Sequence, residues 1–304
     1  MPKVFAAVLT RSAVANNNRG ETEGNVTTLH KCVLNGRTHT TVSAEAIRAG
    51  IRYRAQKSGE SVFRHFDEAT GVIDCNKKDH DVDAYYDDDV MGFMLPKEGE
   101  EGKKKGSCDK RTSPLSVSSA ISLTPWDGTV SYNCQNSTKT DGALSLYGAE
   151  IHGTQYRFVL GIDVDQVIHK ERIPRFFDFL ADLGKVGGNH SRYLYDFSPE
   201  TVVYRVTEAH SPRLHDAYSL DGDQPSLANL IETIEAGDVP AEELIVGGKV
   251  ARTSEGKKLA ALGAEVFPGV NAATDALKAV LKSLCGGKTG TNGVAKSRKT
   301  AMAR

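Results

Sequence analysis

The chain has 304 residues, of which 39% are hydrophobic and 25% charged, with a formal net charge of −1; these are the proportions of an ordinary globular protein of one elaborated domain or two modest ones. No apolar run approaches the roughly 20 residues that cross a bilayer, and the start "MPKVFAAVLTRSAV" is too short and polar for a secretory signal, so a cytoplasmic protein with no membrane partner is expected. Its five cysteines, Cys32, Cys75, Cys108, Cys134 and Cys285, are odd in number and contain no CxxC pair, which argues against a disulfide framework and a zinc site.

"KVFAAVLTRSA" (3–13) reads as a buried strand, after which "NNNRG" spends amides, a cation and a glycine at once. "SAEAIRAGIRYRAQK" (43–57) places Ala44, Ile47, Ile51 and Ala55 on one helical stripe, with Ser43 as N-cap and Glu45 near the positive end. Residues 59–112 are charged and rich in turns, and are read as an insertion on one side of the main body. Within them "DHDVDAYYDDD" (79–89) holds six aspartates and reads as a solvated acidic loop.

"SPLSVSSAISL" (113–123) and "TQYRFVLGIDV" (154–164) are predicted strands. The stretch 124–153 between them lacks continuous apolar periodicity and is read as a protruding hairpin or functional loop. "IPRFFDFLADLG" (173–184) predicts a short helix and "TVVYRVT" (201–207) a strand. Helices near 225–236 and 271–284 follow, with a strand at "EELIVGGK" between them. The tail after Gly286 carries Lys288, Lys296, Arg298, Lys299 and Arg304 with no acid, and is expected to be disordered. This order of strands and helices predicts an α+β fold, a ferredoxin-like core carrying insertions.

Enzyme signatures fail on inspection. "CGGKTG" ends like a phosphate loop, but the first glycine that such a loop requires is Lys282. The aspartates at 79, 81 and 83 resemble a calcium loop, yet Ala84 stands where the turn needs glycine and Val90 where a bidentate glutamate belongs. Neither HExxH nor GxSxG is present, so neither a cofactor nor a metal is expected.

The polar segments read better as a binding surface. Arg48 and Arg52 lie one helical turn apart beside the apolar stripe, followed by Arg54 and Lys57, and guanidinium forks suit phosphate oxygens. A salt-bridged helix edge has the same composition, and the sequence leaves both readings open. Asn16, Asn18 and Arg19 satisfy a turn, or else offer amides and charge to a sugar-phosphate chain. "GGNHSR" (187–192), with Gly187, Gly188, Asn189, His190 and Arg192, combines flexible backbone, an amide, a ring and a cation, and is equally a plain loop.

Taken together, Asn16-Asn17-Asn18-Arg19 after the first strand and "VSAEAIRAGIR" (42–52) resemble the DevR-type family of CRISPR Cascade backbone subunits, of a type I-B-like kind. That family has an Asn-x-Asn-Arg turn and then Ser-Ser-Gln-x-Leu-Lys-Arg with a further arginine. Here Ala44, Glu45 and Ala49 depart from the pattern, and Arg37 resembles the basic residue preceding it. "RTSPLSVSSAISL", the excursion and "YRFVLGIDVDQV" resemble the family's central region, and the likeness spans most of residues 1–207.

The resemblance implies an RNA-recognition-motif-like palm from 1–58, 113–123 and 151–285, an inserted finger region at 59–112, a thumb hairpin at 124–150 and a basic tail at 286–304. It implies a non-catalytic subunit that polymerises head to tail along a CRISPR guide RNA and presents it to target DNA, in antiviral defence or RNA-guided transposition. Its partners would be further copies of itself, the guide's 5′-end-capping subunit, the large and small subunits and the guide-processing endonuclease. A recruited helicase-nuclease or transposition proteins would join them. Arg19, Arg37, Arg48, Arg52 and Arg54 would hold phosphates, Asn16, Asn18, Ser43 and the 187–192 loop would position ribose and backbone, and Trp126 or Tyr132 would wedge beside a displaced nucleotide. Two rival readings are an RNA-processing endoribonuclease using His30, His39 or His190, and a small-molecule enzyme or metal protein built on Asp79, Asp81 and Asp83.

Overall fold

The computed structural model describes residues 2–16, 21–75, 79–96, 108–136, 144–187 and 194–286. The strand β1 (Lys3–Thr10) is buried from Val4 onward on both its faces, as its unbroken apolar run requires of a central strand. A short strand, β2 (Ala13–Ala15), and a two-residue hairpin, β3 (Thr22–Glu23) with β4 (Val26–Thr27), follow. The hairpin of β5 (Lys31–Leu34) and β6 (Arg37–Val42) turns at Asn35 and Gly36, with φ of 51° and 74°, the backbone that an Asn-Gly hairpin turn demands. Helix α1 (Ala44–Lys57) starts where expected: the Ser43 hydroxyl accepts from the Ala46 N–H at 3.3 Å.

Residues 59–112 contain the hairpin β7 (Arg64–Asp67) and β8 (Val72–Cys75), the six-residue helix α2 (Tyr86–Met91), and the ribbon β9 (Phe93–Pro96) and β10 (Cys108–Arg111). The predicted strand at 113–123 is two pieces, β11 (Leu115–Val117) and β12 (Ala120–Ser122), both on β16 (Tyr156–Asp163). Between them and β16 rise β13 (Val130–Asn136) and β14 (Leu144–Glu150), then the short β15 (His152–Thr154). Helix α3 (Arg172–Ala181), β17 (Pro199–Thr207), a small hairpin of β18 (Ser219–Asp221) and β19 (Gln224–Ser226), and α4 (Ala228–Glu235) come next. The chain closes with β20 (Leu244–Gly248), α5 (Ser254–Leu262), β21 (Glu265–Phe267) and α6 (Val270–Gly286).

Strands β17, β1, β16 and the β11/β12 pair stand side by side, all antiparallel, and with α1 and α3 run β-α-β-β-α-β in chain order. Strands β20 and β21 extend this sheet beyond β17, and β6 and β5 extend it beyond β12, giving nine strands. The fold is α+β. Helices cover both faces. Ile47, Ile51, Phe176, Phe177, Leu277 and Leu281 of α1, α3 and α6 pack on Val4, Ala6 and Val8 of β1. Leu230, Ile231 and Leu259 of α4 and α5 pack on Phe5, Ala7 and Leu9 of the opposite side. Each such side chain, fully buried, contributes on the order of 1.5–3 kcal/mol.

The acidic loop is the clearest correction to the sequence reading. Asp87, Asp88 and Asp89 are 3%, 2% and 0% exposed, not solvated. Isolated buried carboxylates are prohibitively costly, so each must find donors, and each finds them on a different element. Asp87 takes Arg52 Nε of α1 at 2.8 Å and the Phe63 N–H at 2.7 Å. Asp88 takes His80 Nδ1 and the Asp81 N–H, both at 2.9 Å. Asp89 takes Arg111 at 2.8 Å, Arg172 at 3.0 Å and the N–H groups of Ile168 and His169. The triplet therefore bolts the 59–112 segment to α1 and α3. No helix among the described residues is long and apolar enough to cross a membrane.

Candidate nucleic-acid interface

Helix α1 forms the floor of a groove of about 370 Å³. Its small residues Ala46, Ala49 and Gly50 lie at the bottom; β7 and β8 supply Arg64, Phe66 and Ile73 on one side, and Lys185 and Gly187 border the other. The methyl side chain of Ala49 leaves the floor open. Gly187 is needed there: its φ is +56°, and an added Cβ would lie 3.0 Å from the Ala46 Cβ. Gly50 is similarly tight, a Cβ there meeting Val186 at 2.8 Å.

The β7–β8 wall is held to α1 by a side chain that imitates a strand partner. Gln56 Nε2 donates to the Phe66 carbonyl, and Gln56 Oε1 accepts from the Phe66 N–H, each at 2.9 Å. Tyr53 packs edge-on against Phe66 with ring centroids 5.5 Å apart, and its hydroxyl donates to Glu68. Arg64 and Lys185 are exposed cations on opposite banks.

The predicted arginines divide differently from the expectation. Arg48 donates to the Met91 carbonyl at 2.6 Å, the Leu115 carbonyl at 2.9 Å and the Ser113 hydroxyl at 3.2 Å. Arg52 is 8% exposed and bound to Asp87. Arg54 turns to the opposite edge of the helix and pairs with Asp182. Burial holds the Arg48 and Arg52 guanidinium groups below their ordinary pKa, and the charge of Arg64 pushes both the same way. The hydrogen bonds both make go to groups of the chain, although Arg52 also lines the groove. Arg37 stands at the far end of β6, about 20 Å along an extended strand from Ser43, and is not brought to the groove.

Asn18, Arg19, Gly188, Asn189, His190 and Arg192 lie outside the described residues. Their flanks do not. Gly187 lines the groove, and the Tyr195 hydroxyl sits 2.7 Å from Thr10 Oγ1 and 3.2 Å from the Arg11 carbonyl. Asn16 is buried at the end of β2, which pairs with β15. Further on, β4 pairs with β14 in parallel at Val26 and Gly148.

Trp126 is a strut at the base of the 130–150 hairpin rather than at its tip. Its Nε1 donates to the Ile151 carbonyl at 3.0 Å, and Lys31 Nζ sits 4.0 Å from its ring while pairing with Glu150. Glu150 also receives the Leu29 N–H at 2.7 Å. Tyr132, 80% exposed, is the more open of two aromatics that the hairpin exposes, Tyr147 being 38% exposed.

The residues of the rival readings are placed as follows. His39 is 8% exposed, with Nδ1 2.8 Å from the Ser122 carbonyl, and Nε2 of His30 is buried. Asp81 caps a local turn through the N–H groups of Asp83 and Ala84, and Asp83 pairs with His169. Among the described residues no group of three or more His, Cys, Asp or Glu is placed to hold a metal ion. Sequence reasoning missed Arg64, Phe66 and Lys185, because the groove is made by an insertion folding back on α1 and no local motif announces that.

This architecture is found in solved structures titled "CRISPR RNA-guided surveillance complex, pre-nicking" and "CRISPR RNA-guided surveillance complex". The first matches with a TM-score of 0.61 at 13% identity over 92% of this chain and 100% of that one. The second matches with a TM-score of 0.60 at 16% identity over 91% and 98%. At those identities the likeness is one of fold, that of a subunit class found in such complexes. At the level of sequence, residues 7–223 match the family described as "CRISPR-associated negative auto-regulator DevR/Csa2". A "CRISPR-associated protein Cas7/Cst2/DevR" of Myxococcus xanthus (strain DK1622) is 38% identical over 286 residues, 89% of this chain and 94% of the relative. The chain belongs to the DevR/Csa2 family and is a Cas7-type backbone subunit by descent.

Proposed function

We propose that this protein is a non-catalytic subunit that binds CRISPR guide RNA along the α1 groove, several copies stacking head to tail on one guide within a Cascade-type complex. The observation that carries the reading is the groove itself: a floor of small residues, an aromatic flank at Phe66, and exposed cations, Arg64 and Lys185, on either bank. A sugar-phosphate chain needs that combination, with charge to neutralise phosphate and close backbone approach at glycine. Gly187 borders the groove, and Tyr132 on the hairpin is exposed and would wedge against an unstacked base.

Both faces of the sheet are covered, so RNA is gripped over the outside of α1 rather than stacked on the strands as in ordinary RNA-recognition sheets. Sequence reading is left to the guide, which pairs with target DNA, as in RNA-guided effectors generally. A heterologous contact between copies would extend into a helical filament. The capping, large and small subunits and the guide-processing nuclease would complete the assembly, and service in defence or in transposition fits the same mechanics. Arg64→Ala and Lys185→Ala test the groove: each should weaken RNA binding and flatten its salt dependence by about 0.7 in log–log slope, the single-strand value per lost phosphate contact. Unaltered slopes in both would refute the assignment.

A further inference from the structure

The buried pair Arg52–Asp87 occupies a revealing position. Asp87 Oδ2 accepts from Arg52 Nε on the helix that floors the groove, at 2.8 Å. The same carboxylate accepts from the backbone N–H of Phe63 at 2.7 Å and of Arg64 at 3.3 Å, where the β7 wall begins. Asp87 thus adds a buried fastening of wall to floor beside that of Gln56 on Phe66, and both members of the ion pair are nearly dry, with side-chain exposures of 10% for Arg52 and 3% for Asp87.

We propose that Asp87 and Arg52 are positioning residues: their ion pair sets the spacing between α1 and β7, and so holds Arg64 and Phe66 over the groove, with Arg52 itself touching no phosphate. The inference rests on the RNA-binding reading of the groove. It assigns a function to the acidic triplet, which looks like surface charge in the sequence, and it removes Arg52 from the expected phosphate contacts. A carboxylate that receives a guanidinium and two backbone donors at once is satisfied only in one arrangement of its three partners, which is what makes it a spacer.

The two roles predict opposite signs. Asp87→Asn frees Arg52 from its counter-charge, so a phosphate-binding Arg52 would then bind RNA more tightly and steepen the salt slope. A positioning pair instead loses affinity, by about tenfold or more on the scale of coupling within one bonded network, with a slope loss no larger than that of Arg64→Ala. Arg52→Gln should behave like Asp87→Asn, while Lys185→Ala, measured alongside, should lose about 0.7 of slope. Folding is checked by circular dichroism and melting temperature; should Asp87→Asn or Arg52→Gln fail to fold, Arg52→Lys decides, since it keeps the charge but loses the Nε donor.

Amide hydrogen exchange provides a readout that needs no RNA: exchange at Phe63 and Arg64 should accelerate in folded Arg52→Gln. Tighter RNA binding by Asp87→Asn, a slope loss in Arg52→Gln that Asp87→Asn does not share, or wild-type affinity in both folded variants overturns the proposal. Faster exchange with no RNA bound by any form, wild type included, would sink the functional reading while leaving the mechanical coupling of α1 to β7 in place.

Discussion

Three arginines in seven residues of α1 have three different fates, and their stability costs should separate accordingly. Removing one partner of the buried Arg52–Asp87 pair leaves an uncompensated buried charge, so Arg52→Ala should cost about 3–5 kcal/mol in urea unfolding. Arg54, in an exposed pair with Asp182 whose side chains are 34% and 70% exposed, should cost less than about 1 kcal/mol on truncation. Equal costs would mean that Arg52 is not buried as described. The sequence could not separate these arginines. Spacing put Arg48 and Arg52 beside the apolar stripe, which suits a phosphate fork and a structural strut equally well. The strut's partner lies 35 positions away inside an insertion. The triplet at 87–89 misled for the same reason: consecutive carboxylates read as solvated unless three separate donors are brought to them, and only the tertiary fold does that. Ser43 was legible because capping is local, settled within three residues.

At the scale of elements, strong apolar periodicity or an unbroken apolar run identified β1, β16, β17, α1, α3 and α6, since each buries a continuous face or strip. The pairing of β4 with β14 was not legible, because two-residue strands have no period to read. Helix α5 went unread too; "SEGKKLAAL" carries little apolar stripe, and Leu259 is its main anchor in the core. None of the described side chains of the β13–β14 hairpin belongs to either hydrophobic cluster. Replacing residues 133–147 by a tight turn should therefore shift the melting temperature by no more than a few degrees, while the regular spacing of nuclease protection on bound RNA disappears. A collapse in melting temperature would place part of the core in the hairpin. Gly92 makes the opposite case. Its φ is +67°, and a Cβ there would lie 2.5 Å from the Arg111 carbonyl and 2.8 Å from the Ser113 nitrogen. Gly92→Ala should destabilise the protein by about 2 kcal/mol or more, detectable in the same unfolding experiment.

For the whole molecule, a chain of nearly neutral charge can still hold an anionic polymer, because charge is apportioned rather than pooled: acids are buried at 87–89, and Arg64 and Lys185 are left exposed beside α1. In the proposed reading the covered sheet removes base stacking on its face, and the α1 groove is the route for RNA. Ultraviolet cross-linking of the protein isolated with RNA from cells that transcribe a CRISPR array tests this route directly. Cross-linked peptides are expected within 43–73 and 185–195, attached to an RNA of discrete length. A preparation free of RNA, or cross-links confined to peptides remote from α1 and the 187–195 segment, would contradict the account.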